Sequence, residues 1–237
     1  MAGAEVAAAR AKAETPVADV TGGLPWQIAG EPPLRSPDPA FFRKDARTVA
    51  RGLLGLRLQS RLGGHQVMGV IVETEAYLGV EDPASHAATR APTARNRIMY
   101  AEGGIAYVYR SHGVHWCLNL VTGLKGDPGA VLIRGLSLLE GTEVALGRRK
   151  GREPLAAGPG RLTQALGVDG GSNGHRMTEA PLRFLSGWAV ADRAVGRSGR
   201  IGVRLAPEWP LRYFVRDSPG VSRGPHHPGG SDPEPEL

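Results

Sequence analysis

The chain has 237 residues and a formal net charge of +6, enough to bury one sizeable core and too many for a peptide-scale module. Of 29 basic residues four are lysines, and residues 1–223 carry +9 because the last fourteen hold three acids and no Lys or Arg. Arginine's planar fork suits phosphate oxygens, so an acidic partner such as nucleic acid stands beside the plainer reading of a solvated, arginine-rich surface. A single cysteine, Cys117, excludes an internal disulfide framework and a multi-cysteine zinc site. No apolar run reaches the roughly 18 residues of a membrane span, and residues 1–14 mix alanines with charges, which points to a cytoplasmic protein in a reducing compartment with no membrane partner.

Residues 1–36 are rich in Ala, Gly and Pro without sustained periodicity and read as a flexible tail, as do the turn-forming, acidic residues 218–237, leaving one domain over 37–217. Asp45 can cap a helix whose apolar positions Ala46, Val49, Ala50, Leu53 and Leu54 keep a 3.6-residue period, with Gly55 as its stop. The period then switches. Leu56 and Leu58 alternate with polar residues, and Gly63-Gly64 can turn the chain into the β-branched segment 65–77.

Within that segment, Glu73, Glu75 and Tyr77 fall on one strand face and Val72, Thr74 and Ala76 on the other. Two carboxylates beside an aromatic ring suit general-base chemistry on a flat substrate, while a solvated strand face is the plainer alternative. His86 follows in a turn-rich loop. Residues 90–97 gather Arg90, Arg95 and Arg97 in a composition suited to phosphate.

Strands at 107–110 and 115–122 flank a Ser111-His112-Gly113 tip, Tyr107 and Tyr109 sharing one face and Cys117 and Asn119 another. With Arg110 beside it, His112 at the tip could probe a groove. His112 and His115 as metal ligands lack a third partner at a convincing spacing. A further strand is expected at 130–136, a short helix over 158–167 that offers free N–H groups and Arg161 to an anion, and strands around 182–190, 201–205 and 211–215. Hairpins outnumber strand-helix-strand units, so the expected fold is α+β around a largely antiparallel sheet with flanking helices and a protruding hairpin.

These segments, from FFRKDARTVARGLLGLRL through IVETEAYLG, RNRIMY, AYVY, GVHWCLN, VLIRGL and GPGRLTQALG to RIGVRLAPEWPLRYFVRDSP, resemble the alkyladenine (3-methyladenine) DNA glycosylase family in unbroken order over roughly residues 38–221. The resemblance implies a monofunctional enzyme that flips alkylated or deaminated purines out of double-stranded DNA and hydrolyses the N-glycosidic bond, with no metal, no organic cofactor and no obligate protein partner. A bacterial member would be nucleoid-associated. By the same resemblance Glu75 is the base that activates water, with Arg134 and the Ile201 carbonyl as that water's other holders. Tyr77, His86 and Tyr109 line the base pocket, and Asn119 checks the purine's minor-groove edge. From their composition and placement, rather than from the resemblance, Arg95, Arg97, Arg110 and Arg161 are expected to face the DNA backbone. His112 stands where the family usually carries a wedging tyrosine, a departure that implies weaker wedging or help from a neighbour.

Three alternatives remain open from the residues. A bifunctional glycosylase/lyase would need an amine nucleophile, a non-catalytic nucleic-acid-binding module would keep the fold without turnover, and the strand pattern alone does not separate Glu73 from Glu75 as the base.

Overall fold

Asp45 accepts hydrogen bonds from the Arg47 and Thr48 amides at 3.0 and 3.1 Å, a cap worth about 1 kcal/mol. In the computed structural model, which describes residues 24, 30–89 and 91–224, that cap follows α1 (Pro39–Phe42) and opens α2 (Ala46–Leu53). Ala46, Val49, Ala50 and Leu53 form its buried face. Gly55 ends it with φ +89°, and a Cβ there would meet the Trp188 carbonyl oxygen at 2.0 Å, so the expected glycine stop is also a packing requirement.

Eight strands follow: β1 (Arg57–Ser60), β2 (Val67–Tyr77), β3 (Ala106–Ser111), β4 (His115–Thr122), β5 (Gly129–Glu140), then, after α3 (Thr142–Arg148) and α4 (Pro159–Leu166), β6 (Leu182–Leu185), β7 (Val195–Ser198) and β8 (Arg212–Val215). They make one sheet in the order β3-β4-β5-β2-β1-β6, all pairs antiparallel, so the α+β expectation holds. Strand β2 is the hub. Its first half pairs with β1 at Val67–Val70 and its second with β8 at Glu73–Glu75, which in turn carries β7. The face of β2 holding Val72, Thr74 and Ala76 packs on α2, where the Thr74 hydroxyl donates to the Ala50 carbonyl at 2.9 Å. Phe42, Leu53, Leu58, Ile71, Leu118, Ile133, Phe184 and Phe214 fill the main core with essentially no exposure.

The structure departs from the sequence expectations in several places. Residues 201–205 form no strand: the Ile201 amide is used by a side chain and Gly202 takes φ +78°, so no ladder can run through them. The strand expected at 182–190 stops at Leu185, because at Gly187 the chain closes on Gly55, leaving no room for a Cβ. Strand β7 and helices α1 and α3 were not expected. At both ends residues outside 37–217 pack against the fold. The Pro32 carbonyl accepts from Arg57 at 2.6 Å, the Arg35 amide donates to Ser186, and Val221 and Ser222 are buried.

Candidate active site

The pairing of β2 with β5 slips at the site. Ile71 faces Leu136, Glu73 faces Gly135 and Thr74 faces Ile133, so the register shifts on both sides of Glu73 and leaves Arg134 as an extra residue in β5. Such bulges re-aim side chains. Arg134 turns to the two carboxylates of the β2 face, and Gly135 is needed opposite because a Cβ there would lie 2.3 Å from the Gly220 carbonyl oxygen.

Glu73 is fully buried and fully engaged. Its Oε1 accepts from Arg134 Nε at 2.9 Å, Arg212 Nε at 2.8 Å and the Ser222 hydroxyl at 2.8 Å, while Oε2 accepts from the Ser222 amide at 2.7 Å. Burial pushes its pKa up, but Arg134 and Arg212 outweigh that and hold the carboxyl below the ordinary range. Glu75, equally buried, accepts from the Ile201 amide at 2.7 Å and pairs with Arg134 at 3.2 Å through Oε1. Its Oε2 accepts from the Tyr77 hydroxyl at 3.1 Å. Burial, then the Glu75 charge, hold the Tyr77 phenol well above its usual pKa, so it stays a donor.

Ile201 meets Glu75 through its N–H, which sets its backbone beside the carboxylate. Arg134 stands between both acids, and burial's pull on its pKa is outweighed by Glu75 and Glu73, which fix it as a cation. Two carboxylates and two guanidiniums thus share one small volume of balanced charge.

Tyr77 lines a cavity of 560 Å³ with His86, Tyr107, Tyr109, Asn119, Arg95, Arg110 and His112, a size suited to a small-molecule or base ligand. His86 Nδ1 lies 2.7 Å from the Tyr107 hydroxyl, and its ring meets Tyr109 edge-on at 4.6 Å. Burial, helped by Arg95, lowers His86 to about 4, so the imidazole is neutral near pH 7. Buried Asn119 donates to the Tyr107 carbonyl at 3.0 Å. The structure thus brings Tyr77, His86, Tyr109 and Asn119 together around one cavity, with Glu75 just behind Tyr77.

The hairpin of β3 and β4 turns through His112 (φ +48°) and Gly113 (φ +69°), closed by the Val114 amide on the Ser111 carbonyl at 2.9 Å, the backbone sense of a type I′ hairpin turn. Val114 is 73% exposed. The tip divides two recesses: His112 borders the aromatic cavity, while Val114 and His115 border a larger cleft of 1140 Å³ that also reaches Arg134 and Arg161. Arg95 and Arg110 are exposed at the cavity, Arg97 is exposed but lines neither recess, and Arg90 lies outside the described residues. His112 Nδ1 sits 3.1 Å from the Ser111 hydroxyl. Among the described residues no three His, Cys, Asp or Glu gather as a metal site would need, and no helix is long and apolar enough to cross a membrane.

Sequence reasoning missed four supporting residues. Arg212 and Ser222 complete the Glu73 shell, and Asp82 and Arg200 form a second buried ion pair in which Arg200 Nη2 donates to Asp82 Oδ1 at 2.8 Å. Asp82 also accepts from the Leu78 and Ala84 amides, both at 3.0 Å, which shapes the loop leading to His86. A charged residue inside an apolar run, as Arg212 is between Leu211 and Tyr213, was the one signal available.

The family model for methylpurine-DNA glycosylase matches residues 40–219. Proteins provisionally named 3-methyladenine DNA glycosylase are similar over most of their length. One from Methanoculleus marisnigri is 41% identical across 78% of this chain and 97% of its own, and one from Myxococcus xanthus is 42% identical across 78% and 93%. A third, from Carboxydothermus hydrogenoformans, is 38% identical across 77% and 96%. By this relationship the protein is a DNA glycosylase, a hydrolase of DNA repair that binds DNA as substrate. Within that class, the chain belongs to the methylpurine-DNA glycosylase family.

Proposed function

We propose that the protein removes alkylated or deaminated purines from duplex DNA by a monofunctional hydrolysis in which Glu75 activates the attacking water. The observation that carries this reading is the contrast in donors: both Glu73 oxygens are filled by arginines and Ser222, whereas among the described residues Glu75 Oε2 has only the Tyr77 hydroxyl, beside the aromatic cavity. A purine flipped into that cavity meets Tyr77, Tyr109 and His86, with Asn119 checking its edge. The water oxygen bonds to C1′ as the C1′–N9 bond breaks, the bonding pair leaves with the purine, and Glu75 takes the water's proton. Arg134 and the Ile201 amide hold the carboxylate in place, and its charge stabilises the oxocarbenium-like sugar.

His112, backed by exposed Val114, fills the gap left by the nucleotide, while Arg95, Arg97, Arg110 and Arg161 contact phosphates. Lysines 44, 125 and 150 line neither recess, which supports water over an amine as nucleophile. The test is base release from a duplex carrying one hypoxanthine or alkylated adenine, read as alkali-labile strand cleavage. Cleavage by the wild type and none by Glu75→Gln is expected. Duplex binding without release from any of several lesions would instead favour a binding module, and borohydride trapping of a covalent adduct would make the enzyme a lyase.

A further inference from the structure

Among the described residues, Leu34, Val114, Leu124 and Leu205 are large apolar side chains left more than half exposed. A single exposed leucine is ordinary, but two of these residues stand at the recesses. Val114 is on the hairpin tip, and Leu205, 56% exposed, lines the aromatic cavity together with His112. Leu205 belongs to a different part of the chain, the connection from β7 to β8, whose Gly202, Val203 and Arg204 line the same cavity.

That connection is held on both flanks. Before it, the Ile201 amide is bonded to Glu75 at 2.7 Å, and Arg200 donates to the Ala76 carbonyl at 3.1 Å and to Asp82 at 2.8 Å. After it, Ala206 turns with φ +46°, the Trp209 amide donates to the Ala206 carbonyl at 3.3 Å, and a Cβ on Gly199 would lie 2.0 Å from the Pro207 carbonyl oxygen. Leu205 is therefore an apolar side chain carried on a braced loop and set in water at the rim of the cavity. Arg95, Arg110 and Arg204 line that cavity and no Asp or Glu does, so a DNA backbone can come up to the rim without repulsion. A leucine presented in this way can enter a base stack and take the place of a lost neighbour.

We propose that Leu205 is a second wedge: as a nucleotide enters the cavity, the leucine leaves water and packs, beside His112, against the base pair that has lost its stacking neighbour. The inference rests on the reading of this cavity as a glycosylase base pocket and adds a residue that holds the flipped state. It supplies what the hairpin tip lacks, since the imidazole of His112 covers less of a neighbouring base than a larger ring would.

The test compares two DNAs of one sequence, with hypoxanthine paired in a duplex or unpaired in a one-nucleotide bulge, where less stacking and pairing must be broken. Release is followed under single turnover with protein in excess of DNA but below saturation, so that capture counts in the rate. The readout is the ratio of duplex rate to bulge rate, in which folded fraction and phosphate contacts cancel. Leu205→Ala should lower that ratio roughly five- to tenfold and Leu205→Met should keep it within about twofold. Leu124→Ala, at a leucine 60% exposed that lines neither recess, should leave it unchanged. Both rates falling together in Leu205→Ala would make the leucine part of the pocket or the fold, and an unchanged pair of rates would leave it idle; either result overturns the proposal. A second readout needs no turnover: 2-aminopurine next to the hypoxanthine changes its fluorescence as the stack opens, and Leu205→Ala should give a smaller change on binding than the wild type. Release from neither DNA by the wild type would sink the glycosylase reading itself, and the fluorescence then decides on Leu205, an equal or larger change overturning the wedge. Release from both with an unmoved ratio sinks this proposal alone.

Discussion

Glu73 and Glu75 stand two residues apart on one face of β2, share Arg134 and are both fully buried, yet their surroundings differ. Glu73 is closed in by two guanidiniums and both the amide and hydroxyl of Ser222. Glu75 is held on one oxygen by Arg134 and the Ile201 amide and lies on the other against the hydroxyl of a cavity-lining tyrosine. The same group on the same strand becomes an anchor in one place and a candidate base in the other, according to how many donors fill its lone pairs.

The sharpest test of that difference is Glu75→Gln, expected to lower base release by about 10²–10⁴-fold with duplex binding largely kept; loss of binding in parallel would mean that Glu75 serves the fold. Glu73→Gln turns an amide toward two buried guanidiniums and should cost about 3–5 kcal/mol of stability, seen as a lower denaturant midpoint, while the folded fraction keeps most of its activity. The reverse pattern would move the base to Glu73. His112→Ala should weaken capture of the flipped nucleotide by about 1–3 kcal/mol and change the chemical step less; equal binding and equal release would remove the wedge assignment. Ser222→Ala leaves Glu73 its arginines and should cost about 1 kcal/mol, again by denaturant unfolding.

The smallest expected effect is on pH. His86 titrates at about 4 in the folded chain against an ordinary 6.5, so between those values the unfolded chain binds the extra proton. Its contribution to stability is complete above pH 6.5 and is lost as pH falls toward 4. The acid limb of kcat/KM should therefore lie well below 6.5, and Arg95→Gln, which removes the second cause of the shift, should move that limb upward.

Much of this was legible locally. Asp45 and Gly55 bracket a helix, the alternation of residues 72–77 puts Glu73, Glu75 and Tyr77 on one face, and the turn around His112 joins two tyrosine-bearing and asparagine-bearing strands as expected. Residues 201–205 misled because their apolar alternation is real, but the Ile201 amide serves a carboxylate and Gly202 takes a positive φ, so no ladder forms. Residues 218–222 misled because turn-formers look like tail until Ser222 is seen on Glu73.

By itself the sequence determined the first helix cap, most of the strands and the hairpin, which follow from periods of two and 3.6 residues, and the family, whose motifs imply the residues around the cavity. Only the tertiary structure decided which carboxylate is sealed and which stands beside the cavity, and which arginine braces the loop at its rim. Those outcomes rest on partners 149 residues apart for Glu73 and Ser222 and 118 apart for Asp82 and Arg200. Buried charge must find its counter-charge wherever the fold brings it, and no local pattern records that choice.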